Sequence, residues 1–222
     1  MKLKKILTAV LSTACAAVLT LSLASCGHQS SSTADTSSKK EDSSQVQLDE
    51  SKSFTIALYS EYAPGTCENF ESLVKSGFYD GTVFHRVMKD FMAQGGGFDR
   101  SGQYKQASNI NGEFSANGYT KNTLSHTRGV VSMARTSQNM NSASSQFFIC
   151  YSDKDTFLDG QYAAFGKVTS GMEVVDGFLN VGINPDETGE VSVPATPIVI
   201  LKAEMTDDDS EGHHQAKFYV SY

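Results

Sequence analysis

The chain has no tryptophan, four cysteines in 222 residues, and a shortage of positive charge: 18 Lys and Arg stand against 25 Asp and Glu, for a net charge of −7. The acidic balance argues against nucleic acid as a partner, because that needs a basic footprint. No internal repeat and no nucleophile elbow is visible, which argues against a Ser/His/Asp hydrolase. His213-His214 are adjacent and come without further ligands at metal-site spacing, so no metal and no cofactor is expected. Two of the cysteines, Cys15 and Cys26, fall in the first 26 residues. The other two, Cys67 and Cys150, allow one disulfide by arithmetic. None is expected, since Cys150 in "QFFICY" reads as a small buried hydrophobe.

What is present begins with "MKLKKILTAVLSTACAAVLTLSLASC", early lysines followed by an apolar run and small residues. This reads as a secretory signal over residues 1–25. Its end, "LASC", resembles the lipobox of bacterial lipoproteins, which implies a lipid on Cys26 and an extracytoplasmic, membrane-anchored protein. Residues 26–50 are Ser-rich and polar and read as a disordered tether. The folded part is expected over 51–206, a single-domain size, with 207–222 a C-terminal tail of unassigned role.

Within it, "SFTIAL" alternates as a strand, and Pro64 suits the first turn of a helix that Gly77 ends. "VFHRVMKDFMAQGG", residues 83–96, reads as two strands joined by a turn at Lys89-Asp90. "RGVVSMAR", "SQFFICY", "YAAFGKVT" and "TPIVILKAEM" are further strands, and "GMEVVDGFLN" is a short helix. Many short strands and two short helices point to a closed antiparallel β-barrel. One residue stands out. Arg86 lies in an apolar strand with no neighbouring acid except Asp90, and a guanidinium there costs desolvation unless something pairs with it.

"FHRVMKDFMAQGG", "HTRGVVSMAR", "SQFFI" and "FLDGQYAAFGKV", in that order from about Phe54 to Met205, resemble the cyclophilins, the peptidyl-prolyl cis/trans isomerases. The resemblance implies an eight-stranded antiparallel β-barrel capped by two α-helices. It puts the essential arginine on Arg86, left available for the substrate, with Gln94 beside it to hold Arg86 or the substrate carbonyl. It places substrate contacts at His85, Phe91, Met92, Met133, Ala134, Arg135, Gln146, Phe148, Phe157, Leu158 and Tyr162. His85 serves structural support or substrate contact. Phe157 stands where the best-known eukaryotic members carry tryptophan, and weaker cyclosporin binding is expected. Tyr162 replaces the family's histidine. The partners implied are proline-containing unfolded or flexible polypeptides, met by a monomer. The alternative is a proline-peptide binding or chaperone module in which turnover is incidental.

Overall fold

The structure, a computed structural model, describes residues 47–222. The leader, Cys26 and most of the tether lie outside the described residues. The tether's last residues are ordered, against expectation: Asp49 accepts a hydrogen bond from the Ser51 backbone (2.9 Å) and caps a 3₁₀ turn, Glu50–Lys52.

Eight strands close into an antiparallel barrel, as the resemblance implied. They are β1 (Ser53–Leu58), β2 (Thr82–Val87), β3 (Met92–Asp99), β4 (Val130–Met133), β5 (Phe147–Cys150), β6 (Ala164–Ser170), β9 (Ile198–Thr206) and β10 (Gln215–Ser221). Around the barrel the order is β1-β10-β9-β2-β3-β5-β4-β6, and β6 pairs back onto β1. The strands left out of that ring, β7 (Ile183–Pro185) and β8 (Val191–Pro194), form a separate hairpin.

The segment expected as a tail is therefore a barrel strand. β10 fills the place between β1 and β9, and Phe218 enters the core stacked on Phe54 at 5.3 Å. "AKFYVSY" does alternate, but the polar, acidic stretch before it hid the strand behind an apparent chain end.

Helix α1 (Pro64–Lys75) starts with Pro at its first position, and Glu113 satisfies its orphan N–H groups at Gly65 (3.0 Å) and Thr66 (2.7 Å). Gly77, at φ +69°, turns the chain out of it. Phe70 from α1 meets Tyr79, Phe147, Phe165 and Phe218 in the barrel interior. The second helix, α2 (Met172–Gly177), adds Val174 and Val175 to the same core. Cys67 and Cys150 are both buried free thiols, and burial pushes the Cys67 thiol up to about 12.

Candidate active site

Two-residue periodicity sorts the strand side chains between two cores. On β5, Phe147 and Ile149 point into the barrel, while Phe148 and Cys150 join a smaller outer cluster. On β3, Ala93 points in and Met92 out. Met88, Phe91, Ala134, Leu158 and Tyr162 complete the outer cluster. On β2 the ladder is irregular on both sides of Phe84. Phe84 thus reaches the main core while Arg86 emerges outside, opposite Gln94 in the β2–β3 register. The turn to β3 is closed by Asp90, at φ +62° the one non-glycine positive φ among the described residues.

The outer cluster floors an open cleft of about 220 Å³, lined by Arg86, Phe91, Met92, Gln94, Ala134, Arg135, Phe148, Leu158 and Tyr162. Its walls are fixed from behind. His126, fully buried, stacks on Phe148 at 6.0 Å, with Nδ1 2.8 Å from Asp159 Oδ1 and Nε2 3.0 Å from Ser132 Oγ. Tyr162 stands edge-on to Phe148 at 5.8 Å, and the Arg135 guanidinium covers Tyr162 at 4.6 Å. Arg135 Nε in turn donates to the Gln161 carbonyl at 3.0 Å. Phe157 is 66% exposed and rests on Phe91 at 5.8 Å, on the rim of the cleft.

Beside it, a polar cleft of about 270 Å³ is lined by Gln94, Tyr104, Ala134, Arg135, Thr136, Ser142, Ser144 and Gln146. The two clefts share Gln94, Ala134 and Arg135, so together they form one groove with an apolar and a polar half.

The structure corrects four expectations. Arg86 is not unpaired. Its Nε donates to Glu190 Oε1 at 2.6 Å and its Nη2 to Glu190 Oε2 at 2.9 Å. The partner is 104 residues away, in the β7–β8 hairpin, where no local reading of the strand could find it. The signal that could have raised it is the strand itself, since a desolvated guanidinium needs an acid from elsewhere.

Gln94 does not hold Arg86 either, for its Nε2 donates to Gln146 Oε1 at 2.9 Å. Met133 lies in the main core at 1% exposure, because the alternation that turns Ser132 outward toward His126 turns Val131 and Met133 inward. His85 faces away from the apolar cleft. It lines a separate cavity of about 880 Å³ with Phe98, Val193 and Pro194, and packs on Phe98 at 4.9 Å. Its Nδ1 has no hydrogen-bond partner, and burial, helped by the neighbouring Arg86 charge, pushes its pKa down to about 4.

His213 and His214 border another cleft with Glu68 and Glu71, and carboxylates already engage them. Asp209 lies 3.0 Å from His213 Nδ1, and Glu71 meets His214. Among the described residues, no group of three or more His, Cys, Asp or Glu side chains is placed to hold a metal.

Chemically the cleft offers an apolar cup with a guanidinium at its edge. Arg86 Nη1 sits 3.8 Å from Met92 Sδ, on the cup side. The Arg86 guanidinium also lies 5.8 Å from the Phe91 ring centre. Among the described residues, no serine, threonine, cysteine or lysine lines the cup.

Comparison with known proteins agrees with this fold. Residues 44–205 match the family model for cyclophilin type peptidyl-prolyl cis-trans isomerase/CLD. The chain is 46% identical over 158 residues to a peptidyl-prolyl cis-trans isomerase of Acinetobacter baylyi, covering 68% of this chain and 78% of that one. It is 45% identical over 158 residues to peptidyl-prolyl cis-trans isomerase A of Dickeya dadantii, covering 68% and 77%. Among solved structures, a Cryptosporidium parvum cyclophilin type isomerase crystallised in the presence of the dipeptide Ala-Pro superposes with a TM-score of 0.52 at 31% identity. The match covers 67% of this chain and 89% of that one. The family match stops before β10.

Proposed function

Because the chain belongs to the cyclophilin-type peptidyl-prolyl cis-trans isomerases, a family of enzymes, we propose that Arg86 is its catalytic donor and the outer apolar cup its proline pocket. The observation that carries this reading is Arg86 Nη1 at the edge of a cup made by Phe91, Met92, Phe148, Leu158 and Tyr162.

The chemistry asks for little more. An X–Pro bond rotates over a barrier of ~18–20 kcal/mol because resonance makes the C–N bond partly double. Uncatalysed exchange takes tens to hundreds of seconds. No covalent bond breaks. In the twisted transition state the prolyl nitrogen regains its lone pair and becomes an acceptor. A guanidinium N–H aimed at that nitrogen binds the transition state better than the planar ground state, which is the condition for catalysis. Five decades of rate, at 1.36 kcal/mol per tenfold, amount to about 7 kcal/mol. One charged donor and an apolar clamp are of that order. The polar half of the groove, with Gln94, Gln146 and Arg135, receives the residues preceding the proline.

The test is isomerisation of an Ala-Pro tetrapeptide by the full-length chain, wild type beside Arg86→Ala. The variant is expected to lose roughly 10²- to 10³-fold in kcat/KM, the scale of removing one transition-state donor, while its circular dichroism stays unchanged. If both proteins are inactive yet proline peptides bind, the groove is a recognition module and the donor reading fails.

The same proposal places the enzyme outside the cytoplasm, lipid-anchored through Cys26, acting as a monomer on secreted or surface polypeptides. The support is the leader, the "LASC" sequence and the polar tether after it. Incorporation of labelled fatty acid in wild type but not in Cys26→Ala checks it. Weak cyclosporin binding is expected because Phe157 has no indole N–H to offer. Phe157→Trp is expected to tighten it, and titration calorimetry of the two proteins decides.

A further inference from the structure

We infer that Glu190 is a positioning residue for the isomerisation, clamping the outer edge of the Arg86 guanidinium so that Nη1 faces the proline pocket. The inference rests on Arg86 being the donor. A guanidinium has three nitrogens in one plane. Glu190 takes two of them, Nε at 2.6 Å and Nη2 at 2.9 Å, in a fork-to-fork pair. Such a pair fixes the plane as well as the position, which one bond would not do. The third nitrogen is then directed at Met92 Sδ, 3.8 Å away in the wall of the cup.

The clamp is itself held. Glu190 ends the tight turn of the β7–β8 hairpin, and that turn is pinned by Asp186. Asp186 Oδ1 accepts from the backbone N–H groups of Thr188 (2.8 Å) and Glu190 (2.9 Å) and from the Thr188 hydroxyl (2.7 Å). The Asp186 N–H donates back to the Glu190 carbonyl at 2.8 Å, and Gly189 supplies the positive φ (+90°) the turn requires. At the hairpin's base, the Ala195 N–H bonds the Gly182 carbonyl at 2.9 Å. The hairpin thus carries a carboxylate to a defined point beside β2, and β8 lies against that strand.

Charge balance gives a second reason. A proline peptide seated in the cup covers the guanidinium and strips it of water. A lone cation pays heavily for that, whereas one already paired and hydrogen-bonded pays less. The prolyl nitrogen needs a directed N–H, not net charge, so neutralising the outer edge costs the reaction little. The alternative arrangement, a carboxylate that competes with the substrate for Arg86, predicts the opposite kinetics. The bonds seen use Nε and Nη2 and leave the cup-facing nitrogen to the substrate.

The experiment is steady-state kinetics on the full-length chain, comparing Glu190→Ala, Glu190→Gln and Glu190→Asp with wild type and Arg86→Ala. The neutral variants are expected to lose roughly 10- to 100-fold in kcat, the order that a misplacement of about 1 Å costs, with KM changed by less than about twofold. Glu190→Asp keeps the charge and is expected to recover part of kcat. Glu190→Ala in the Arg86→Ala background is expected to cost nothing further, since the clamp then has nothing to hold. Exchange broadening of the Arg86 Nη resonances in nitrogen NMR is expected to show faster guanidinium rotation in Glu190→Ala. Full kcat in the neutral variants, or a gain, overturns the clamp while leaving Arg86 as donor if Arg86→Ala is dead. An active Arg86→Ala removes the donor reading itself.

Discussion

Gly97 carries no side chain because Gln146 occupies the space one would fill: a Cβ there would collide with Cγ, Cδ and Nε2 of Gln146. Gln146 cannot retreat without giving up its 2.9 Å bond from Gln94, so the polar half of the groove is shaped by an absence on β3. Gly97→Ala is expected to displace Gln146, release Gln94 and raise KM for tetrapeptides several-fold, with kcat less affected because Arg86 and the cup are untouched. Kinetics at saturating and sub-saturating peptide separate the two. An unchanged KM would show that the glutamine pair does not touch substrate. At this scale the sequence was legible in what it brings together: Arg86 and the aromatic cup meet at one cleft, as the motif they share implied. Glu190 was not legible, because a pair spanning 104 residues leaves no local trace. Met133 was misplaced because a motif read as an edge ignores which face a strand residue takes.

At the scale of elements, β10 has the largest consequence. It hydrogen-bonds β1 on one side and β9 on the other, so without it the barrel is an open sheet with two exposed edges. Phe218 is fully buried and meets Phe54, Phe70, Tyr79 and Phe147. Truncation after Thr206 is expected to give aggregated protein, and Phe218→Ala to lose about 3–5 kcal/mol in urea unfolding, the usual range for emptying a buried aromatic site. A truncated chain that unfolds cooperatively with the wild-type midpoint would contradict this. The remaining barrel strands and both helices were readable from alternation, from Pro64 and Gly77, and from the apolar spacing of α1. The β7–β8 hairpin was not. Its burial pattern is largely exposed, and in β8 the alternation is inverted, with Ser192 buried and Val191 (58%) and Val193 (38%) exposed, so the apolar residues do not mark a buried face. The element that carries Glu190 is therefore the one whose sequence looks most like a loop.

For the molecule as a whole, the histidines set the response to acid. His85 and His126 are held neutral, their pKa values lowered from 6.5 chiefly by burial. Asp159 opposes the shift at His126 without reversing it. A group whose folded pKa is depressed binds fewer protons folded than unfolded, so stability falls as pH falls through the window between the two values. For His85 that window runs from 6.5 down to about 4. His213 and His214 act with the opposite sign. Asp209 and Glu71 raise their pKa values, so their contribution is present below 6.5 and lost as pH rises through the raised values. Those two imidazoles are near the surface, where solvent and salt screen the pairing. The buried pair is expected to dominate. Chemical-denaturation midpoints should therefore decline as pH falls from about 6.5 to about 5.5, above the ordinary carboxylate range. His85→Phe, which keeps an aromatic ring against Phe98 and removes the titrating group, is expected to flatten that decline. Midpoints that rise on acidification over the same interval would mean that the surface histidines, not the buried ones, govern the acid response.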